Sequence, residues 1–545
     1  MAPSYVHGAS SVPLLGETIG ENLRRTVDRH GDREALVVRE QGYRATYREL
    51  WRQTELAARG LMARGVARGD RVGIWAPNRS EWVVLQYATA RVGAILVNIN
   101  PAYRTSELEY ALNQSGTELL VLARGFRTAD YVAMLREVRD RCPGVREALV
   151  LEEAWDRLLV DGERVSPDEL AEREASLQFD DPINIQYTSG TTGFPKGATL
   201  SHHSILNNGF FIGERLRYTE QDRVCIPVPF YHCFGMVLGN LACTTHGACM
   251  VVPAESFDPL ATMRTAQDER CTSLYGVPTM FIAELEHPEF GGFDFSSLRT
   301  GIMAGSPCPV EVMKKVQTAM NMTEVTICYG MTETSPVSTQ SNTDDPLEKR
   351  VATVGPVHPH VEIKVVDPAT GRVVPRGEPG ELCTRGYVVM LGYWNNEEAT
   401  RAAIDAGRWM HTGDLATMDE DGYLNIVGRI KDMIIRGGEN IYPREVEEFL
   451  FTHPDVAEVQ VIGVPSERYG EEVMAWVRLR EGAAATGEDL AAYCRGRIAT
   501  YKIPRYWKFV DSFPMTVTGK IQKFKMRETA VGELGLQEAA GIRTA

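Results

Sequence analysis

The richest concentration of chemically capable side chains lies in one stretch, Tyr187-Thr-Ser-Gly-Thr-Thr-Gly-Phe-Pro-Lys-Gly197. Between Thr188 and Lys196 it gathers the hydroxyls of Thr188, Ser189, Thr191 and Thr192, the glycines Gly190 and Gly193, and one lysine. Glycine lets backbone N–H groups approach an anion closely and Lys196 adds a mobile positive charge, so the composition suits a cradle for phosphate. The spacing is G-x-x-G-x-x-K-G, with glycine instead of Ser or Thr after the lysine. It is therefore not the P-loop arrangement, in which that hydroxyl holds magnesium. Taken alone, the stretch reads equally well as a phosphate loop or as a glycine-rich turn. A third reading makes Ser189 a nucleophile and Lys196 its base, as in a hydrolase, but the further Ser- and Gly-bearing motifs such a site requires are missing.

Other candidates are weaker one at a time. Thr332-Glu333, Asp414 after Gly413, and Arg429 after Gly428 each read first as turn chemistry or a surface ion pair. His232, in the apolar run 230–234, reads equally as a core histidine or a site residue. Lys520, Lys523, Lys525 and Arg527 suit one solvated helix face. The acids at 419–421 lack the spacing of a calcium loop, and neither His202-His203 nor the cysteines have the partners that metal binding or nucleophilic catalysis needs.

These residues sit in a chain of 545 residues, too long for one ordinary core, so two or more packed units are expected. The formal charge of −15 excludes broad nucleic-acid binding, which needs a basic face. An anionic ligand must instead be held by locally placed Lys, Arg and backbone N–H groups. Ten cysteines without a C-x-x-C pair suggest neither a zinc site nor a disulfide framework, and reduced thiols in a cytoplasm are the plain expectation. The first residues lack a basic start followed by an apolar core, so no secretory leader is expected. The most apolar stretch, 225–252, is interrupted by Pro227, Pro229, His232, Asn240 and His246, which suits buried core elements and not a transmembrane segment.

The elements that must position the candidates are legible in outline. Helical periodicity covers 47–63 and about 81–92; short apolar strands are expected at 71–75, 94–98, 183–187 and 272–275, and a helix at 201–215 that Ser201 could cap. Such alternation implies parallel sheets covered by helices. From about residue 355 the texture turns to β segments, at 361–366 and 380–385, followed by a hairpin over 414–429 turning at Asp419-Glu-Asp-Gly422. A small α/β unit follows. Pro443 opens a helix that places Val446, Phe449 and Leu450 on one face; strands are expected at 459–464 and 473–479, and a helix at about 487–499.

Several motifs taken together make a resemblance. TSGTTGFPKG is similar to the signature loop of the adenylate-forming superfamily, which includes acyl-CoA synthetases, peptide-synthetase adenylation domains and firefly luciferase. Tyr329-Gly-Met-Thr-Glu333, Trp409-Met-His-Thr-Gly-Asp414, Gly428-Arg-Ile-Lys-Asp432 and Thr518-Gly-Lys-Ile521 follow in that family's order, over roughly residues 20–530. Around Pro229-Phe-Tyr-His-Cys233 the texture resembles medium-chain fatty acyl-CoA synthetases. The resemblance implies an α/β fold: a large multi-sheet N-terminal domain over 1–429, with parallel sheets, helices and a β-rich subdomain, and a small mobile α+β C-terminal domain over 430–545.

It implies a reaction in two steps. A carboxylic acid, in this case a fatty acid, attacks Mg-ATP to give acyl-AMP and pyrophosphate, and the thiol of coenzyme A then displaces AMP. Thr188, Ser189, Gly190, Thr191, Thr192, Gly193 and Lys196 would bind the phosphates, and Tyr329, Gly330 and Met331 the nucleotide, with Tyr329 stacked on adenine. Thr332 and Glu333 would stand by the phosphates, Glu333 holding Mg²⁺, which prefers hard oxygen ligands. Asp414 would take the ribose hydroxyls, and Arg429 the ribose and phosphate. Lys431 would be the hinge. Gly437, Gly438 and Glu439 would line the path of CoA, and Lys520 would offset the repulsion between carboxylate and α-phosphate. His232 would line the acyl site, with Gly305 and Gly330 leaving room for the chain. Two alternatives remain: an acyl-AMP ligase that loads a carrier protein, and a CoA ligase for aryl or other acids. Homodimerisation is left open.

Overall fold

The helix Tyr47–Ala63 forms over the residues its periodicity marks, capped by Thr46, whose hydroxyl accepts from the Glu49 N–H while Glu49 reaches back. The strand Arg71–Trp75 follows, then the helix Ser80–Val92 and the strand Ile95–Asn98. A computed structural model describes residues 2–188, 195–306, 308–436, 439–515 and 521–537. They form two units, Val6–Ile363 with Thr384–His411, and Met1–Tyr5 with Lys364–Cys383 and Thr412–Ala545. The smaller unit thus takes in residues 364–383 and 412–429 as well as those after 429.

The larger unit contains two large sheets, besides the short hairpin Gly125–Phe126 with Ala129–Asp130. One has seven strands in the order Gly392–Tyr393, Lys196–Ser201, Pro182–Thr188, Ile95–Asn98, Arg71–Trp75, Leu119–Leu122 and Glu147–Val150. Its last five run parallel. The other has eight strands, ordered Val337–Gln340, Glu324–Gly330, Thr300–Ala304, Ser273–Gly276, Arg223–Cys225, Cys249–Val252, Glu34–Val38 and Tyr43–Thr46, parallel except at its two ends. The helix Ser80–Val92 touches Ile95–Asn98 of the first sheet and Glu34–Val38 of the second. It is buried nearly all round, which explains why its sequence lacks a polar stripe.

Residues 225–252 are core, as expected, but not in the expected form. Phe234–Leu241 is a fully buried π-helix continued by the α-helix Ala242–His246. Buried amides secure its approach: Asn98 Nδ2 donates to the Tyr231 carbonyl (2.9 Å), and Gln186 accepts from Cys233 Sγ (3.1 Å).

A five-stranded sheet is ordered Tyr5–His7, Val361–Val366, Gly380–Gly386, Met410–Met418 and Leu424–Arg429. The expected turn closes its last hairpin. Asp419 Oδ1 accepts from the N–H groups of Asp421 (3.0 Å) and Tyr423 (2.8 Å), and Gly422 has φ +85°, so those acids do turn chemistry. A second five-stranded sheet joins Ile434–Arg436, Glu439–Ile441, Val456–Ser466, Gly470–Leu479 and Tyr506–Phe509. Val446 and Leu450 of the helix Pro443–Phe451 pack on it, together with Val459, Val461, Val473 and Val477. The helix expected to reach 499 stops at Cys494, where Arg495 turns extended and Gly496 takes φ +73°.

Candidate active site

The glycine-rich stretch does not run from strand to helix. An additional strand intervenes, so Pro182–Thr188 and Lys196–Ser201 form an antiparallel hairpin with Thr188 opposite Lys196. Only then does Ser201 cap the helix His202–Arg215, accepting from the Ser204 N–H as expected. Ser189, Gly190, Thr191, Thr192 and Gly193 lie outside the described residues. Both stems are pinned. Tyr187 OH donates to Gln114 Oε1 (2.7 Å), Gln114 Nε2 donates to the Trp394 carbonyl (2.7 Å), and the Trp394 N–H donates to the Gly197 carbonyl (2.7 Å).

Tyr329 and Gly330 end the strand Glu324–Gly330, and Thr332 and Glu333 form a single tight turn just beyond its C-terminal end. Ligands of open parallel sheets gather at that end. Gly330 is there for packing: a Cβ would lie 1.7 Å from the Pro336 carbonyl oxygen. Gly305 is required by its φ of +92°.

Glu333 is buried, and its Oε1 accepts from two hydroxyls, Tyr393 OH at 2.8 Å and Thr188 Oγ1 at 3.2 Å. Lys196 Nζ lies 5.0 Å from the centre of the Tyr393 ring. The structure therefore brings Thr188, Lys196 and Glu333 together, and it adds Tyr393, which sequence reading missed. Burial, then the charge of Glu333, raises the Tyr393 pKa well above that of an ordinary phenol, so Tyr393 stays a donor. The only sequence signal for it was an aromatic in the short run Gly392-Tyr-Trp394.

His232 is half-buried just before the π-helix. Its Nδ1 accepts from the Phe234 N–H (3.1 Å), so a neutral ring carries its proton on Nε2. By contrast His202 is fully buried; its Nδ1 accepts from the Ile19 N–H (3.1 Å), and burial lowers its pKa to about 4, as befits a structural residue.

In the smaller unit Asp414 and Arg429 are cross-strand partners, and Arg429 Nε donates to Asp414 Oδ1 (3.0 Å). Gly413, with φ +70°, turns the chain into Asp414, which is buried while Arg429 is half exposed. Lys431 is exposed, and desolvation of its amine, then the charge of Arg429, lowers its pKa. Glu439 is exposed and stands opposite Arg436, whose guanidinium grips the buried Glu472 (2.7 and 3.2 Å). Gly437, Gly438 and Lys520 lie outside the described residues. Of the other basic residues near Lys520, Lys523 is more than a solvated charge, since it donates to Glu447 Oε1 (2.5 Å) and to the Val461 carbonyl (3.0 Å).

Residues 23–394 match the family model of the AMP-binding enzyme, and residues 445–520 that of the AMP-binding enzyme C-terminal domain. The chain is 48% identical to the mitochondrial medium-chain acyl-CoA ligase ACSF2 of Danio rerio, over 98% of this chain and 92% of that protein. It is 43% identical to the human protein of the same name, over 98% and 91%. Among solved structures, that of the anthranilate CoA ligase AuaEII in complex with anthranoyl-AMP superposes with a TM-score of 0.84 at 27% identity, over 96% of this chain and 99% of that one.

Proposed function

The chain belongs to the AMP-binding enzyme family, and on that footing we propose that it is an ATP-dependent fatty acyl-CoA ligase acting on medium-chain acids. The observation that carries this reading is the convergence of Thr188, Lys196 and a buried Glu333 beyond the C-terminal end of a parallel sheet. Identity with medium-chain ligases along nearly the whole length supports the acid class.

Lys196, opposite Thr188, offers a cation to the β- and γ-phosphates. Glu333 suits Mg²⁺: it is a hard carboxylate whose Oε1 accepts two hydrogen bonds that orient the group, and its Oε2 would be the oxygen offered to the metal. Mg²⁺ held by Glu333 would supply charge neutralisation to the phosphates. Tyr329 stacks on adenine. Asp414 takes the ribose hydroxyls, with Arg429 orienting its carboxylate. Lys520 stands between the attacking carboxylate and the α-phosphate, where a cation lowers their repulsion. Residues 430–545 then turn about Lys431, and Glu439 with its preceding glycines guides CoA to the adenylate. His232 lines the acyl site. Among the described residues no helix is long and apolar enough to cross a membrane. Ten buried cysteines, none of them disulfide-bonded, support a reducing compartment, and we place the protein in the cytoplasm.

The test is pyrophosphate and thioester formation with ATP, CoA and a panel of acids from acetate to long-chain and aromatic. Medium-chain acids are expected to give the highest kcat/KM. The aryl alternative draws on the fold match to the anthranilate CoA ligase, and a maximum on benzoates would select it. ADP as the nucleotide product would overturn both readings.

A further inference from the structure

Lys196 and Glu333 carry opposite charges and reach the same place, yet they form no ion pair with each other, and among the described residues Lys196 has no salt-bridge partner. What stands between them is Tyr393. Its hydroxyl donates to Glu333 Oε1 at 2.8 Å, while its ring carries the Lys196 ammonium 5.0 Å from its centre. The ring is nearly buried, at 9% exposure, and its backbone is fixed by strand pairing with Ala198 and by a bond from the Tyr393 N–H to Thr400 Oγ1 (2.9 Å). Such a side chain has no freedom to step aside.

Two opposite charges in a poorly hydrated pocket would otherwise collapse onto each other, since their attraction grows as the dielectric falls. A collapsed pair would be lost twice over, because the cation would be withdrawn from phosphate and the carboxylate from metal. A tyrosine prevents this at low cost, for it satisfies the anion through its O–H and the cation through its negative π-face. Phenylalanine could do only the second and an aliphatic residue neither.

We propose that Tyr393 is a positioning residue that holds Lys196 and Glu333 apart, keeping the cation available to the ATP phosphates and the carboxylate available to the divalent metal. This rests on the reading of Glu333 as metal ligand and Lys196 as phosphate ligand. It makes the ring and the hydroxyl separately testable. Tyr393→Phe keeps volume and π-face and removes only the donor; Tyr393→Leu removes both.

The experiment measures Mn²⁺ binding by electron paramagnetic resonance in the presence of ATP, ATP binding by calorimetry without metal, and the melting temperature, for the wild type and both variants. Tyr393→Phe is expected to weaken Mn²⁺ binding about 10-fold, the order expected for one hydrogen bond to a charged group, with metal-free ATP binding unchanged. Tyr393→Leu is expected to weaken Mn²⁺ binding likewise and metal-free ATP binding by about 10-fold as well, as Lys196 turns to Glu333. Adding Glu333→Gln to Tyr393→Leu should restore ATP binding by removing the carboxylate that captures Lys196. A melting-temperature change in Tyr393→Phe with both affinities at wild-type values would overturn the proposal and leave Tyr393 a packing residue. Glu333→Gln alone binding Mn²⁺ as the wild type does would instead refute the metal-ligand reading beneath it.

Discussion

Replacing Glu333 with Gln and with Ala should separate what this side chain does for the fold from what it does for the reaction. Oε1 accepts from Tyr393 OH (2.8 Å) and Thr188 Oγ1 (3.2 Å) at a site only 5% exposed. Glutamine keeps a carbonyl oxygen in that position, so both hydroxyls keep a partner and stability should change by no more than about 1 kcal/mol. Alanine leaves the buried Tyr393 hydroxyl unpaired at roughly 1–3 kcal/mol, while half-buried Thr188 still reaches the Lys196 carbonyl (3.4 Å), so its loss should be about 1–3 kcal/mol, enough for a clear fall in melting temperature. Catalysis should rank differently. Both variants lose the negative charge that offsets the metal, and each should slow adenylation on the order of 10²-fold or more, the scale of removing one charge-stabilising group. The assays are ATP–pyrophosphate exchange over a magnesium titration and thermal denaturation of the same samples. Glutamine exchanging at the wild-type rate at low magnesium would refute the assignment of Glu333 as metal ligand. Equal melting temperatures for Gln and Ala would refute the account of Glu333 as the acceptor that the buried Tyr393 hydroxyl needs.

Three further outcomes follow from other parts of the molecule. Lys520→Ala should slow adenylation on the order of 10²-fold while thioester formation from supplied acyl-AMP continues, and Lys431→Pro should do the reverse by fixing φ at the hinge; single-turnover kinetics of each half-reaction decide, and equal slowing of both halves in Lys520→Ala contradicts alternation. Glu284 is 1% exposed, its Oε2 has no hydrogen-bond partner among the described residues, and burial raises its pKa well above the carboxylate range. The folded chain therefore holds a proton that the unfolded chain releases near pH 4.5, so this group's stabilisation is full below that pH and falls by about 1.4 kcal/mol per unit as pH rises toward the folded value; Glu284→Gln should gain on the wild type in melting temperature as pH rises above that of the unfolded carboxyl, and parallel profiles would contradict it. Gly330→Ala should destabilise by about 3 kcal/mol, because its methyl meets a backbone carbonyl at 1.7 Å that cannot rotate away; an unchanged melting temperature would show that the turn yields.

The sequence by itself determined the elements and the inventory of reacting groups. Tyr47–Ala63, Arg71–Trp75 and Val361–Val366 form where periodicity placed them, and Asp419 and Ser201 do the turn and cap chemistry their positions announced. These features depend on neighbours a few residues away, so a local pattern suffices. The π-helix at Phe234–Leu241 and the strand Lys196–Ser201 escaped that reading because burial and strand partners, not local preference, select them. The site itself was decided by tertiary structure. Thr188 and Glu333 are 145 residues apart, and Tyr393 meets Glu333 across 60 residues only because the two-residue strand Gly392–Tyr393 pairs with the strand Lys196–Ser201. Nothing local in Gly392-Tyr-Trp394 specifies that pairing. Gly330 likewise carried no sign of the Pro336 carbonyl that forbids any other residue there. Sheet order sets such contacts, and sheet order is fixed by packing over the whole chain, which a motif does not encode.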